Sequence, residues 1–187
     1  MKAKVISIVS ALSYALLLAL QPAVGQEPQY SQAGIQYFNQ RLDDLRCRQD
    51  GLAIDGSLDL DGDWFAVASF ADASGDRACG STAISAGGGY RTAFDDTFDM
   101  YGTLSFETVS PDVGGSDSGL IIVGGMRGFI AQDIEGKLEL AHHTVFTGST
   151  TITAGGAFWF NRQFAATTDL TLSSNGTTFA IGARMNF

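Results

Sequence analysis

From Leu52 to Leu172 the apolar side chains fall mainly on even numbers, and after Asn175-Gly176 they move to odd numbers. Leu52, Ile54, Leu58, Ile84, Met100, Leu104, Phe106, Ile122, Leu138, Leu140, Ile152, Leu170 and Leu172 carry the even series. Asp55, Asp59, Ser85, Arg91, Asp99, Tyr101, Glu107, Arg127, Glu139, His143, Thr153 and Asp169 carry the odd one. Successive side chains of an extended chain point to opposite faces, so a period of two kept over this length describes a sheet with one oily and one polar side. A two-residue Asn-Gly hairpin turn pairs positions whose numbers sum to an odd value, so it swaps the parity of the two faces. Turn chemistry and face pattern are independent readings, and they agree.

The alternation divides into ten runs of about ten residues: 34–42, 51–60, 64–71, 82–94, 98–109, 119–130, 136–146, 150–160, 164–173 and 177–187. Membrane strands of a tilted barrel need about 9–11 residues. The expected fold is all-β: a closed antiparallel up-and-down transmembrane β-barrel of ten strands, with eight as the alternative. An even count places both chain ends on one side. The connections 61–63, 95–97, 132–135 and 161–163 are short, and 43–50, 72–81 and 111–118 on the other side are longer, the usual barrel asymmetry. Trp64, Phe94, Phe98, Phe160, Phe164 and Phe187 flank the short connections, as an interfacial girdle would. A soluble barrel with the apolar face inside is the structural rival. Ile121, Val123 and Phe129 beside Arg127 are the least regular stretch of the polar face, and His142 falls on the apolar one.

Residues 1–25 have the layout of a secretory signal peptide: Lys2 and Lys4, an apolar run from Val5 to Leu20, then Ala23 and Gly25 before the cleavage point. The run is shorter than the roughly 20 residues of a spanning helix. Residues 26–33 are then expected as a short periplasmic segment, and 34–187 as the barrel. Loss of Lys2 and Lys4 takes Lys+Arg from 11 to 9 against 20 Asp+Glu, a formal charge of −11. Nucleic-acid binding, which needs a basic face, is not expected.

Inside such a barrel, Arg91, Arg127 and Arg184 point inward with Asp55, Asp59, Asp99, Glu107, Glu139 and Asp169. Hairpin arithmetic places Arg91 near Asp99, Arg127 near Glu139, and Arg184 diagonal to Asp169. Eight strands are just filled by side chains, so ten leave room that crossed Arg–carboxylate pairs would plug. A thin, weakly cation-preferring passage is the alternative. Cys47 and Cys79 fall in the first two outer connections, and two thiols in an oxidising compartment predict a disulfide.

Motifs for chemistry are weak. His142 and His143 point to opposite faces and cannot share one ion. His143 inward near Glu139 offers half of an acid–base dyad, so an enzyme that processes lipid or peptide is the least favoured reading. Asp59-Leu-Asp-Gly-Asp63 begins like a calcium loop, but Phe70 stands where its twelfth-position glutamate belongs. Gly87-Gly-Gly89 lacks the Lys-Ser/Thr of a phosphate loop. No catalytic residue, metal or cofactor is expected.

The terminal strand, with Phe179, Ile181, Met185 and the final Phe187 on one face, resembles the last strand of Gram-negative outer-membrane barrels. The resemblance implies that this segment is read by the barrel-assembly machinery. Gly124-Gly-Met-Arg-Gly-Phe-Ile-Ala-Gln-Asp-Ile-Glu-Gly136, Phe158-Trp-Phe-Asn-Arg-Gln-Phe-Ala-Ala166 and Gly182-Ala-Arg-Met-Asn-Phe187 resemble hairpins of a family of small outer-membrane barrels, some labelled quorum factor. That likeness spans about half of the mature chain. It implies an eight- to ten-stranded barrel in the outer membrane and supplies no agreed catalytic residues. Outer-membrane lipid and lipopolysaccharide are the expected surroundings, and a monomer the expected state. The role expected is structural or surface-interacting, with a narrow porin-like channel as the alternative.

Overall fold

The computed structural model describes residues 28–42, 47–76, 79–174 and 176–187. The signal-peptide expectation for 1–25 lies outside them, as does Asn175 of the final turn. Ten strands follow in chain order: β1 (Gln32–Leu42), β2 (Cys47–Asp59), β3 (Trp64–Gly75), β4 (Ser81–Ala93), β5 (Phe98–Pro111), β6 (Asp117–Ala131), β7 (Ile134–His143), β8 (Ser149–Trp159), β9 (Phe164–Ser173) and β10 (Gly176–Asn186). Each strand pairs antiparallel with its sequence neighbours, and β1 pairs with β10 from Gln32↔Asn186 to Leu42↔Gly176. The sheet therefore closes with no free edge. Closure is what lets a β-structure face hydrocarbon, because every ladder N–H and C=O is paired internally.

The even-numbered apolar side chains point outward. Ile54, Leu104, Ile122, Leu140, Ile152 and Leu172 are each 51–55 % exposed, as is Ile181 on the odd-numbered outer face of β10. Arg127, Glu135, Asp169 and Arg184 are buried inside. This is the architecture of a transmembrane β-barrel, and a soluble barrel with its oily face inward does not describe the molecule. The parity change occurs where the pattern places it, with Gly176 opposite Ser173. A second change occurs across 43–46, where odd-numbered Ile35 of β1 pairs with even-numbered Ile54 of β2.

Strand ends differ from expectation mainly at the long-loop end. β2 begins at Cys47, β3 runs to Gly75 and β6 begins at Asp117, so those loops are shorter than 43–50, 72–81 and 111–118. The ladder continues past the apolar belt into a collar polar on its outer face, where Tyr37 bonds Asp50 and Thr82 bonds Asp72. Alternation of hydrophobicity ends there, but pairing does not. Conversely, β7 stops at His143, leaving 144–148 as a loop. A bulge between Phe129 and Ala131 adjusts β6 beside the two-residue turn Gln132–Asp133. The disulfide joins Cys47 to Cys79, with Cα atoms 6.5 Å apart, and ties the start of β2 to the approach to β4.

Candidate functional site

The lumen holds every ionisable cluster that the odd-numbered face brings together, and it divides into two levels. At the short-turn end, Glu135 is 2 % exposed and is the hub. Its Oε1 accepts from Arg127 Nη2 at 2.8 Å and from Arg184 Nη1 at 3.1 Å, and its Oε2 accepts from Trp159 Nε1 at 3.1 Å. Arg127 also donates to Gln32 Oε1 at 3.3 Å, tying β6 to β1 across the lumen. Trp159 packs with Ala157, Ala165 and Phe129 in a small apolar floor. The irregular Phe129 is thus part of this floor.

Pro28–Ser31 lie across the same end. Tyr30 is 2 % exposed, with its ring centroid 4.6 Å from that of Phe65. The guanidinium carbons of Arg91 and Arg127 lie 4.5 and 4.9 Å from its centroid. Burial pushes the Tyr30 phenol well above its usual range, against the opposing pull of the Arg127 charge. Two inward glycines make room for these rings. A Cβ on Gly89 would sit 2.4 Å from the Phe65 ring, and one on Gly125 would sit 2.7 Å from Tyr101. Arg91 reaches Asp59 at 3.4 Å and donates to the Pro28 carbonyl at 3.4 Å. Backbone bonds from Phe187 N to the Ser31 carbonyl and from Asp59 N to Ser31 Oγ fix the segment to the rim.

Above this level Lys137 lies between Glu139 at 3.4 Å and Asp169 at 3.2 Å. Glu139 also accepts from the Tyr101 hydroxyl, and Asp169 from Gln36 Nε2 at 2.7 Å. Nearer the long loops, His143 Nδ1 is 3.0 Å from Glu107. The rest of this level is a cavity of about 570 Å³ lined largely by Ser, Thr, Gln and Ala. A second cavity of about 210 Å³, lined by Pro28, Asp63, Arg91, Asp95, Asp96 and Asp99, opens at the short-turn end. Tyr30 lines the first cavity, and Pro28 and Arg91 line the second.

The nine charged residues expected in the lumen lie there, but their pairings differ. Arg91 pairs with Asp59, while sharing the lower cavity with Asp99. Arg127 and Arg184 both pair with Glu135, not with Glu139 and Asp169. His143 faces Glu107 instead of Glu139. His142 lies outside and bonds Thr150. Sequence reasoning missed Glu135, Lys137 and Tyr30. The first two carry the inward odd parity, the available signal; Glu135 falls in the 132–135 connection, and Lys137 lies on the inward parity of the 136–146 run. Phe179, Ile181 and Met185 are exposed on the outer face of β10, and Phe187, just past its end, is exposed too. Among the described residues no group of three His, Cys, Asp or Glu side chains is placed to hold a metal ion.

Among solved structures, the chain is similar to the KdgM porin, with TM-score 0.51 and 14% identity, covering 82% of this chain and 99% of that one. That porin is also known in complex with disordered oligogalacturonate. The β domain of the Bordetella autotransporter Brka gives TM-score 0.54 at 12% identity, covering 84% of this chain and all of that one. At these identities the likeness is one of fold. No protein-family model and no curated protein matches the chain.

Proposed function

We propose that this chain is an integral outer-membrane β-barrel with a structural or surface-interaction role, its lumen closed toward the periplasm. The observation that carries the reading is the layer formed by Tyr30, Arg91, Arg127, Glu135, Trp159 and Arg184, all tied to one another by contacts under 5 Å or by short bonds. In this reading the short-turn end and both chain ends face the periplasm, and residues 1–25 are removed before assembly. The apolar belt supports contact with lipid and lipopolysaccharide as a monomer. The terminal strand from Phe179 to Phe187 would meet the assembly machinery.

Recognition would fall to the long-loop end. Loop 144–148, between β7 and β8, presents Phe146 at 56 % exposure, and loop 112–116, between β5 and β6, presents Val113 at 69 %. Phe146 holds a left-handed backbone with φ 53°, and its N–H is bonded by Asp117. Strain at an exposed aromatic fits a display site, since such conformers persist only where surrounding contacts fix them.

The 570 Å³ cavity favours a second reading, a narrow channel for small solutes, if the floor can move. Single-channel recording in planar bilayers separates the two. The closed reading expects the refolded protein to give no steady openings, and Tyr30→Ala combined with Glu135→Ala to give them. Steady large openings of the unaltered protein would overturn it.

A further inference from the structure

We propose that the upper cavity is a binding cup for a small organic cation rich in hydrogen-bonding groups, of the amino-sugar or polyamine kind. Its volume falls in the range of about 300–1,000 Å³ typical of small-molecule sites.

The wall formed by β2 to β5 sets the chemistry. Strand register places Asp55 opposite Ser69, Ser69 opposite Ser85, and Ser85 opposite Glu107. One row thus reads carboxylate, hydroxyl, hydroxyl, carboxylate over roughly 14 Å of wall, at about 4.8 Å per strand. The two serine hydroxyls bond each other at 2.8 Å. Ala53, Ala71, Ala83, Val67 and Gly87 flank the row above and below by the same register. None has a side chain long enough to fill the space, and the cup is hollow for that reason. The facing wall adds the Thr153–Thr171 hydroxyl pair, also at 2.8 Å.

Charge decides the class of ligand. Among the described residues each lumen cation has a carboxylate partner in this chain: Arg127 and Arg184 share Glu135, Arg91 has Asp59, and Lys137 has Glu139 and Asp169, with only Arg127 Nε left without an acceptor. Glu107 has His143. Asp55 has no hydrogen bond or ion pair from any described residue. Its carboxylate instead lies over Gly34, where a Cβ would come within 2.9 Å of Oδ1. Ser57 Oγ, two residues along the same strand and lining the same cup, is buried without a protein partner. A carboxylate without its cation, beside a hydroxyl without its partner, suits an ammonium group with further donors and acceptors along its length. Arg127, Lys137 and Arg184 also line the cup, but their charges are held by Glu135, Glu139 and Asp169, so the carboxylate left unpaired at its wall is that of Asp55.

The cup does not depend on the floor being sealed, so conductance and binding report separately. The test is isothermal titration calorimetry of the refolded, disulfide-intact barrel in detergent, with spermidine and glucosamine as probes and glucuronate as the anionic control. Both amines are expected to bind and glucuronate not to. Asp55→Asn should weaken the amines at least tenfold, while Asp96→Asn, at the exposed short-turn rim, should leave them unchanged and so exclude attraction to net charge. Ala53→Phe fills the cup without altering a charge and should also abolish binding. Heat-modifiable gel mobility checks that each variant is folded. Failure of the unaltered barrel to bind either amine, binding by Asp55→Asn or by Ala53→Phe as tight as that of the unaltered barrel, or glucuronate binding as tightly as glucosamine would each overturn the proposal.

Discussion

The two ends of the lumen solve the same geometric problem in opposite ways. Ten strands enclose more space than their backbone fills, and the short-turn end fills it with Tyr30, Phe129, Trp159 and the Arg127–Glu135–Arg184 cluster. At the long-loop end most inward positions are Ser, Thr, Ala or Gln, and the space stays open. The first arrangement makes stability depend on ion pairs buried together. The second leaves stability to the ladder, the outer belt and the Cys47–Cys79 bridge, and frees the interior for a ligand.

The largest expected effect tests that division directly. Glu135→Ala leaves two buried guanidinium groups without their shared anion, and breaking a buried pair by removing one partner costs about 3–5 kcal/mol. Asp55→Ala, on the open side, is expected to change stability by less than about 0.5 kcal/mol. Chemical denaturation of the two refolded variants, followed by tryptophan fluorescence, measures both. Similar losses in the two would mean that the levels are not energetically distinct.

Reduction comes next. The bridge closes a loop with a sequence separation of 32, for which the chain-entropy relation gives about 3–4 kcal/mol. It lies at the end that has no packed core of its own. Unfolding midpoints with and without reductant should therefore differ, and Cys47→Ser with Cys79→Ser should reproduce the reduced value. An unchanged midpoint would show that the collar of paired strands suffices without the staple.

How far the sequence reveals this division depends on which solvent each face meets. Strand number and facing were legible because hydrocarbon outside and polar groups inside force a period of two, and Leu52 through Leu172 display it. The collar was not legible, because Arg48, Asp50 and Asp72 are polar and exposed on the outer face beyond the belt, so the alternation fades while pairing continues. The charged residues of the lumen were legible as a set but not as pairs. Hairpin arithmetic finds neighbours on adjacent strands, whereas Arg184 on β10 reaches Glu135 on β7 across the interior. The entry of Tyr30 was invisible for a related reason: a short segment ahead of the first strand carries no periodicity.

Phe146 offers a smaller, more local test. Its left-handed backbone, φ 53°, costs on the order of 1 kcal/mol that glycine would not bear. Phe146→Gly should therefore leave the barrel as stable or stabilise it by about 1 kcal/mol, while removing the exposed ring from the loop tip. Thermal unfolding reads the first effect. A loss of surface recognition by a folded Phe146→Gly barrel would assign the strain to display instead of to packing. Destabilisation would mean that the ring holds the long-loop end together, which would narrow the contrast between the two ends.

The smallest effect is expected at the opposite rim, in the turn between β4 and β5. Asp95 Oδ1 accepts from the Thr97 and Phe98 backbone N–H groups at 2.7 and 2.8 Å and from the Thr97 hydroxyl at 2.9 Å. These donors, the Thr97 amide foremost, hold its carboxyl below the usual carboxylate range. A folded value below the unfolded one means that the unfolded chain takes up the proton first as pH falls. The turn's contribution is thus fully present above the ordinary aspartate range near pH 4, and it is lost as pH falls through the lower, folded value. The group is exposed, so solvent screens the effect and the loss is slight. Asp95→Asn should flatten the acid limb of stability between about pH 5 and pH 2 without altering it at pH 7 beyond the missing charge. Stability curves of the two proteins that stay parallel down to pH 2 would show that this turn is held by the ladder on either side of it, and not by its own side chain.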